Sequence, residues 1–186
     1  MAESNFGESP FTKFLPDSVK LNVVKQKCPV FLAIGDAVYQ RREFIERAYM
    51  LKGGWEGWLQ VELACCLPDY FQGGGGTIFV DREIEMKDSK ADVRVDLEVS
   101  SGGTEFLVEL KCQSFSNSAN FLSGLTGDVT KIRNYNEQNN GKFLNGGVVG
   151  IYVAGDVKKA QDYCLKKGFT AGVVKECNMI VFFKPF

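Results

Sequence analysis

Histidine is absent from all 186 residues of the chain. That absence excludes Ser-His-Asp triads, histidine general bases and histidine-ligated zinc together. Its six cysteines include no Cys-x-x-Cys pair, so a zinc site would need four scattered thiolates. Adjacent Cys65 and Cys66 lie in an apolar, helix-like run, where buried free thiols are the simpler reading. Reduced cysteines imply an intracellular setting, cytoplasmic or nuclear. Long hydrophobic runs are missing too: stretches such as Pro29 to Ile34 are far too short to cross a bilayer. Met1 to Asn5 carries no basic region leading into an apolar run, so neither a signal peptide nor a membrane partner is expected. The glycine run Gly73 to Gly76 lacks the Gly-Lys-Ser/Thr of a phosphate loop and leads into a strand-like stretch. It reads as a connector.

What is present suits one folded domain. Hydrophobic residues make up 45% and charged residues 24%, ordinary proportions for a globular chain of this length. Residues 1–19 are polar, with Gly7, Pro10 and Pro16, and read as a loosely ordered arm; residues 20–186 read as the domain. Leu21 to Ile34 reads as a strand interrupted by Pro29. Helices are expected over Asp36–Leu51 and Glu56–Leu67, then a strand over Ile78–Ile84. Gln113 to Gly127 reads as a Ser/Asn-rich crossover, and Asp128 as the N-cap of a helix ending near Glu137. Gly147 to Val153 is a continuous apolar run, the mark of a buried strand. A helix from Asp156 to Lys167, closed by Gly168, precedes strands at Thr170–Val174 and Asn178–Phe183. The expected fold is therefore α/β: an α-β-β-β-α-β core with a mixed sheet flanked by helices, and an α-β-β extension.

Two strand-like stretches carry the chemistry. In the first, Asp92, Arg94, Asp96 and Glu98 alternate with Val93, Val95, Leu97 and Val99. In the second, Leu107, Glu109, Lys111 and Gln113 alternate with Phe106, Val108, Leu110 and Cys112. Ser100 to Thr104 between them has the composition of a hairpin turn. Pairing across it brings Asp96 close to Glu109 and Lys111. Two carboxylates suffice to hold Mg²⁺, a hard cation that keeps several waters, and a nearby lysine can act on an attacking water or on phosphoryl charge. Trp55, Trp58 and Leu59 read as core anchors.

This ordered set resembles the PD-(D/E)XK, or restriction-endonuclease-like, nuclease superfamily. Its signature is an acid on a helix, an aspartate on a strand and Glu-x-Lys on the next strand. Asp96 matches the aspartate, Glu109 and Lys111 the Glu-x-Lys, and Gln113 a polar position often seen after it. Glu56, preceding Leu59 and Leu63 at helical spacing, matches the helix acid, with Glu62 the reserve. The chain departs from the pattern in having no proline before Asp96.

The resemblance spans residues 55–153 and implies a nuclease of DNA or RNA using Mg²⁺ or Mn²⁺. It implies metal held by Asp96, Glu109 and Glu56, with Lys111 acting on the water. It also implies auxiliary parts for Lys131 and Tyr135 on the following helix and leaves room for a homodimer. Asp92 is a further candidate ligand. A formal net charge of −1 offers phosphates little overall attraction. The alternative expectation is a nuclease fold, weak or inactive in catalysis, that binds nucleic acid or protein.

Overall fold

A computed structural model describes residues 28–52, 54–71, 78–86, 93–101, 104–138, 145–174 and 179–185. The expected N-terminal arm, the glycine connector, Asp92 and Cys177 lie outside the described residues. Among the described residues, five helices and six strands follow in the order α1 (Pro29–Gln40), α2 (Arg42–Ala48), α3 (Glu56–Phe71), β1 (Ile78–Met86), β2 (Val93–Ser101), β3 (Thr104–Cys112), α4 (Phe121–Gln138), β4 (Gly146–Tyr152), α5 (Val157–Lys166), β5 (Thr170–Val174) and β6 (Met179–Pro185). From α3 onward this is the expected α-β-β-β-α-β run followed by α-β-β. The strands form one mixed sheet in the order β1-β2-β3-β4-β6-β5, parallel only between β3 and β4.

Helices cover both faces. Against one face, Phe31, Ile34 and Val38 of α1 and Leu59, Leu63 and Leu67 of α3 pack on Leu97, Val108, Leu110, Val149 and Val181. Against the other, Phe121, Leu125 and Val129 of α4 and Ala160 and Cys164 of α5 pack on Val148, Ile180 and Phe182. β4 is buried along its whole length, as its continuous apolar run demands. Gly150 lets α4 sit close: a Cβ there would lie 2.7 Å from both methyl groups of Leu125.

Several elements differ from expectation. Pro29 does not interrupt a strand; it occupies the first turn of α1, where its missing N–H costs nothing. Residues 30–34 are helical, and the burial of most of α1 explains why no amphipathic period marks it. The expected Asp36–Leu51 helix is two helices meeting at Arg41. α3 continues past Pro68 to Phe71. α4 begins at Phe121, so Asp128 lies inside the helix rather than capping it.

The alternation of β2 also breaks. Leu97 and Val99 face α1 and α3, but Val95 packs with Leu107 against Ile132 and Tyr135 of α4. β1 changes face at the same rung: Ile78 and Val80 lie on the α3 side, Ile84 on the α4 side. Between them Glu83 has φ +52, a left-handed conformation unusual outside glycine. The β1–β2 pairing keeps one register on both sides of Glu83 and Asp96, so no residue is inserted and the ribbon simply turns over there.

Candidate active site

Where the ribbon turns over, β2 also leaves β3. Their paired rungs run from Ser101–Thr104 to Leu97–Val108. Beyond that, β3 pairs with β4, and Gln113 N–H donates to Ile151 O at 2.9 Å. The N–H groups of Leu110 and Cys112 point the other way, into the space β2 vacates. Buried backbone donors need partners, and two carboxylates supply them. Leu110 N–H donates to Asp96 Oδ2 at 2.7 Å. Cys112 N–H donates to Glu56 Oε2 at 2.8 Å. Glu56 is the first residue of α3, and Gln60 one turn on donates Nε2 to Asp96 Oδ1 at 2.8 Å. Arg82 in turn donates to Gln60 Oε1 at 3.1 Å.

α4 closes the other side. Lys131 Nζ sits on Glu109 Oε1 and also donates to Arg94 O at 3.1 Å. Lys111 Nζ lies 3.7 Å from Asp128 Oδ2. The strand's Glu109 and Lys111 thus meet a helix that presents Lys131 and Asp128 in complementary order. Gly124 leaves room for this, since a Cβ there would lie 3.2 Å from Lys111 Cε.

Four carboxylates against two ammonium groups make an acid-rich cluster. Burial, opposed by the Leu110 N–H and reinforced by Glu56, pushes Asp96 up to about 6. Burial and the neighbouring Asp96 push Glu109 up to about 7, against the pull of Lys131. Glu56 and Asp128 are raised as well, chiefly by burial. For Lys111, burial pulls downward, but Asp128, Glu56, Asp96 and Glu109 together outweigh it and hold the ammonium above its usual range. Lys111 is therefore a cation at neutral pH.

The fold brings Glu56, Asp96, Glu109, Lys111 and Lys131 into one cluster. Glu62 stands apart, paired with Arg41 at 2.8 Å on the surface. Gln113 is buried, and its amide is occupied by backbone: Oε1 accepts from Val153 N at 2.7 Å and Ala154 N at 2.9 Å, and Nε2 donates to Ala154 O at 2.9 Å. Tyr135 is buried in a small apolar cluster with Val95, Leu107 and Ile132. Trp55 is buried and donates to Gln113 O at 2.8 Å, and Trp58 stacks on Phe44 with ring centroids 4.2 Å apart.

Sequence reasoning missed Asp128 and Gln60. The signal for Gln60 was its place four residues after Glu56, a polar side chain between Leu59 and Leu63. Asp128 and Lys131 sit three residues apart on one helical face, a pattern readable only once the helix is begun at Phe121.

Carboxylate oxygens are the hard donors that Mg²⁺ or Mn²⁺ takes. Glu109 is only 6% exposed, yet its Oε2 has no hydrogen-bond partner, which leaves a buried carboxyl oxygen unsatisfied. Among the described residues no group of three or more His, Cys, Asp or Glu side chains converges as a complete metal cage. An ion that keeps most of its waters needs no such cage, and one or two carboxylates can hold it. Among the described residues no helix is long and apolar enough to cross a membrane. No family model, curated protein or solved structure matches this chain.

Proposed function

We propose that the chain is a divalent-metal-dependent nuclease with a restriction-endonuclease-like core, hydrolysing phosphodiester bonds in DNA or RNA. The observation that carries this reading is the meeting of Glu56, Asp96, Glu109 and Lys111 where β2 parts from β3. Asp96 and Glu109 are the residues to hold Mg²⁺ or Mn²⁺, with Glu56 tuning them through shared charge. When bound, the ion polarises a phosphoryl oxygen and acidifies a coordinated water. Lys111, held protonated by its acidic neighbours, orients that water or offsets phosphoryl charge. Gln113 acts at one remove, fixing the turn after β4 beside the catalytic strand. On α5, Lys158, Lys159 and Lys166 line a shallow surface cleft of about 460 Å³ that they share with Asp156, Asp162 and Tyr163, so its mixed charge offers nucleic-acid phosphates only weak attraction.

A second reading draws on one observation: Asp96 and Glu56 already serve backbone N–H groups, and Lys131 already neutralises Glu109. Carboxylates so employed also suit a nuclease fold retained for binding nucleic acid or protein. Incubating plasmid DNA and structured RNA with Mg²⁺ or Mn²⁺, beside Lys111→Ala, separates the two. Cleavage that requires the metal and vanishes in the variant is the expected result. Wild type and variant equally inert on both substrates would leave the binding module.

A further inference from the structure

Lys131 holds a position that none of the expected site residues explains. Its ammonium lies on the one engaged oxygen of a nearly fully buried carboxylate, Glu109. The same ammonium donates to the carbonyl of Arg94 at 3.1 Å, on the stretch of β2 that has separated from β3. It therefore bridges the two parted strands at the carboxylate assigned above to the metal. Three features make this a cation site already filled by the protein. Its oxygens come from a carboxylate and a main-chain carbonyl, both hard donors of the kind divalent ions take. The second oxygen of Glu109 is buried without a partner. The lysine reaches the site from α4, so its ammonium can withdraw while the strands stay in place. Its side chain is 37% exposed, so the ammonium has solvent to withdraw into.

We infer that Lys131 is a resident counter-ion that a divalent cation must displace from Glu109, which makes it the residue setting the metal affinity of the site. This rests on the proposed metal-dependent reading and deepens it. The two positive charges cannot share Glu109 at close range without repulsion. Removing a unit charge a few ångströms from a divalent ion strengthens binding by about tenfold or more, even where the surroundings are as polar as water.

The test is Mn²⁺ binding to the full chain, followed by the loss of the free-ion paramagnetic resonance signal and by calorimetry. Wild type, Lys131→Met, Lys131→Gln and Lys131→Arg are compared, with folding of each checked by circular dichroism. Lys131→Met and Lys131→Gln should bind Mn²⁺ about tenfold or more tightly than wild type, and Lys131→Arg should stay within about threefold of it. Two neutral variants guard against one of them failing to fold. Neutral variants that bind equally or more weakly overturn the displacement while leaving the metal site standing. Absence of Mn²⁺ binding in every folded protein overturns the metal-dependent reading and this inference with it. A merely structural lysine would lower the melting temperature without tightening Mn²⁺ binding.

Discussion

On one side of β3 the sheet continues through β4, β6 and β5, and every position of β4 and the first five of β6 are buried. On the other side β2 stays with β3 only as far as the Leu97–Val108 rung. The first half is joined by main-chain ladders and close apolar contact. In the second, beyond that rung, side-chain carboxylates take the place of a strand. The contrast teaches that the charged cluster is more than polar side chains added to a finished surface. It occupies a gap in the hydrogen-bonding of the sheet, and its acids satisfy backbone donors that burial would otherwise strand. Such an arrangement costs stability through the charges it confines, and the apolar half supplies that stability.

If the two halves divide function from stability, the sharpest break comes from Lys111→Ala. Its cleavage rate should fall about a thousandfold, equivalent to about 4 kcal/mol of transition-state stabilisation. Its melting temperature should fall by only about 3 °C, because the Lys111 side chain stays partly in solvent and its closest acid lies 3.7 Å away. A large loss of stability instead would collapse the distinction. Gly147→Ala is the mirror experiment in the apolar half. A Cβ there would strike Phe31 and lie 2.7 Å from Lys184 O, a backbone atom that cannot swing aside. Denaturant titration should show a loss of about 3 kcal/mol, with whatever activity survives still metal-dependent.

Smaller effects sharpen the same contrast. Burial raises Asp96 to about 6 and Glu109 to about 7, so the folded state holds protons there that the unfolded chain releases near pH 4. Their contribution is therefore most favourable at or below about pH 4. It is lost as pH rises from about 4 through about 7, then stays level. Without metal, the melting temperature at pH 8 should lie about 5 °C below that at pH 5, and Glu109→Gln should remove much of the difference. An unchanged profile in Glu109→Gln would detach the cluster from the pH response. Glu62→Gln should do least. It breaks a surface pair with Arg41, worth under about 1 kcal/mol, and leaves cleavage within about twofold of wild type. A catalytic collapse there would make Glu62 the helix acid in place of Glu56.

Much of this was legible in the chain, for reasons that also explain what was not. Alternation over residues 108–113, with the hairpin turn upstream, marked β3 and put Glu109 and Lys111 on one face. The continuous run at 147–153 marked a central strand. Alternation failed in β2, where the chain turns over at Asp96 opposite Glu83. A glutamate at φ +52 gives no warning of the kind a glycine gives. The first turns of α1 were missed because a helix segment buried on most sides has no polar stripe to set its period. The start of α4 was hidden by Ser123, Gly124, Thr126 and Gly127, all weak helix formers. Lys111 passes close to Gly124, a contact that no local preference expresses.

The crossed pairs between β3 and α4 also bear on how the helix is seated. Reading along the strand gives acid then base, and reading along the helix gives acid then base in the opposite sense of pairing. Were α4 to slip by about one turn, Lys131 would come to face Lys111 and Glu109 would lose its cation. The four charges thus work as a keyed joint, admitting the helix in one alignment and repelling its neighbours. Apolar ridges alone tolerate such a slip far more readily.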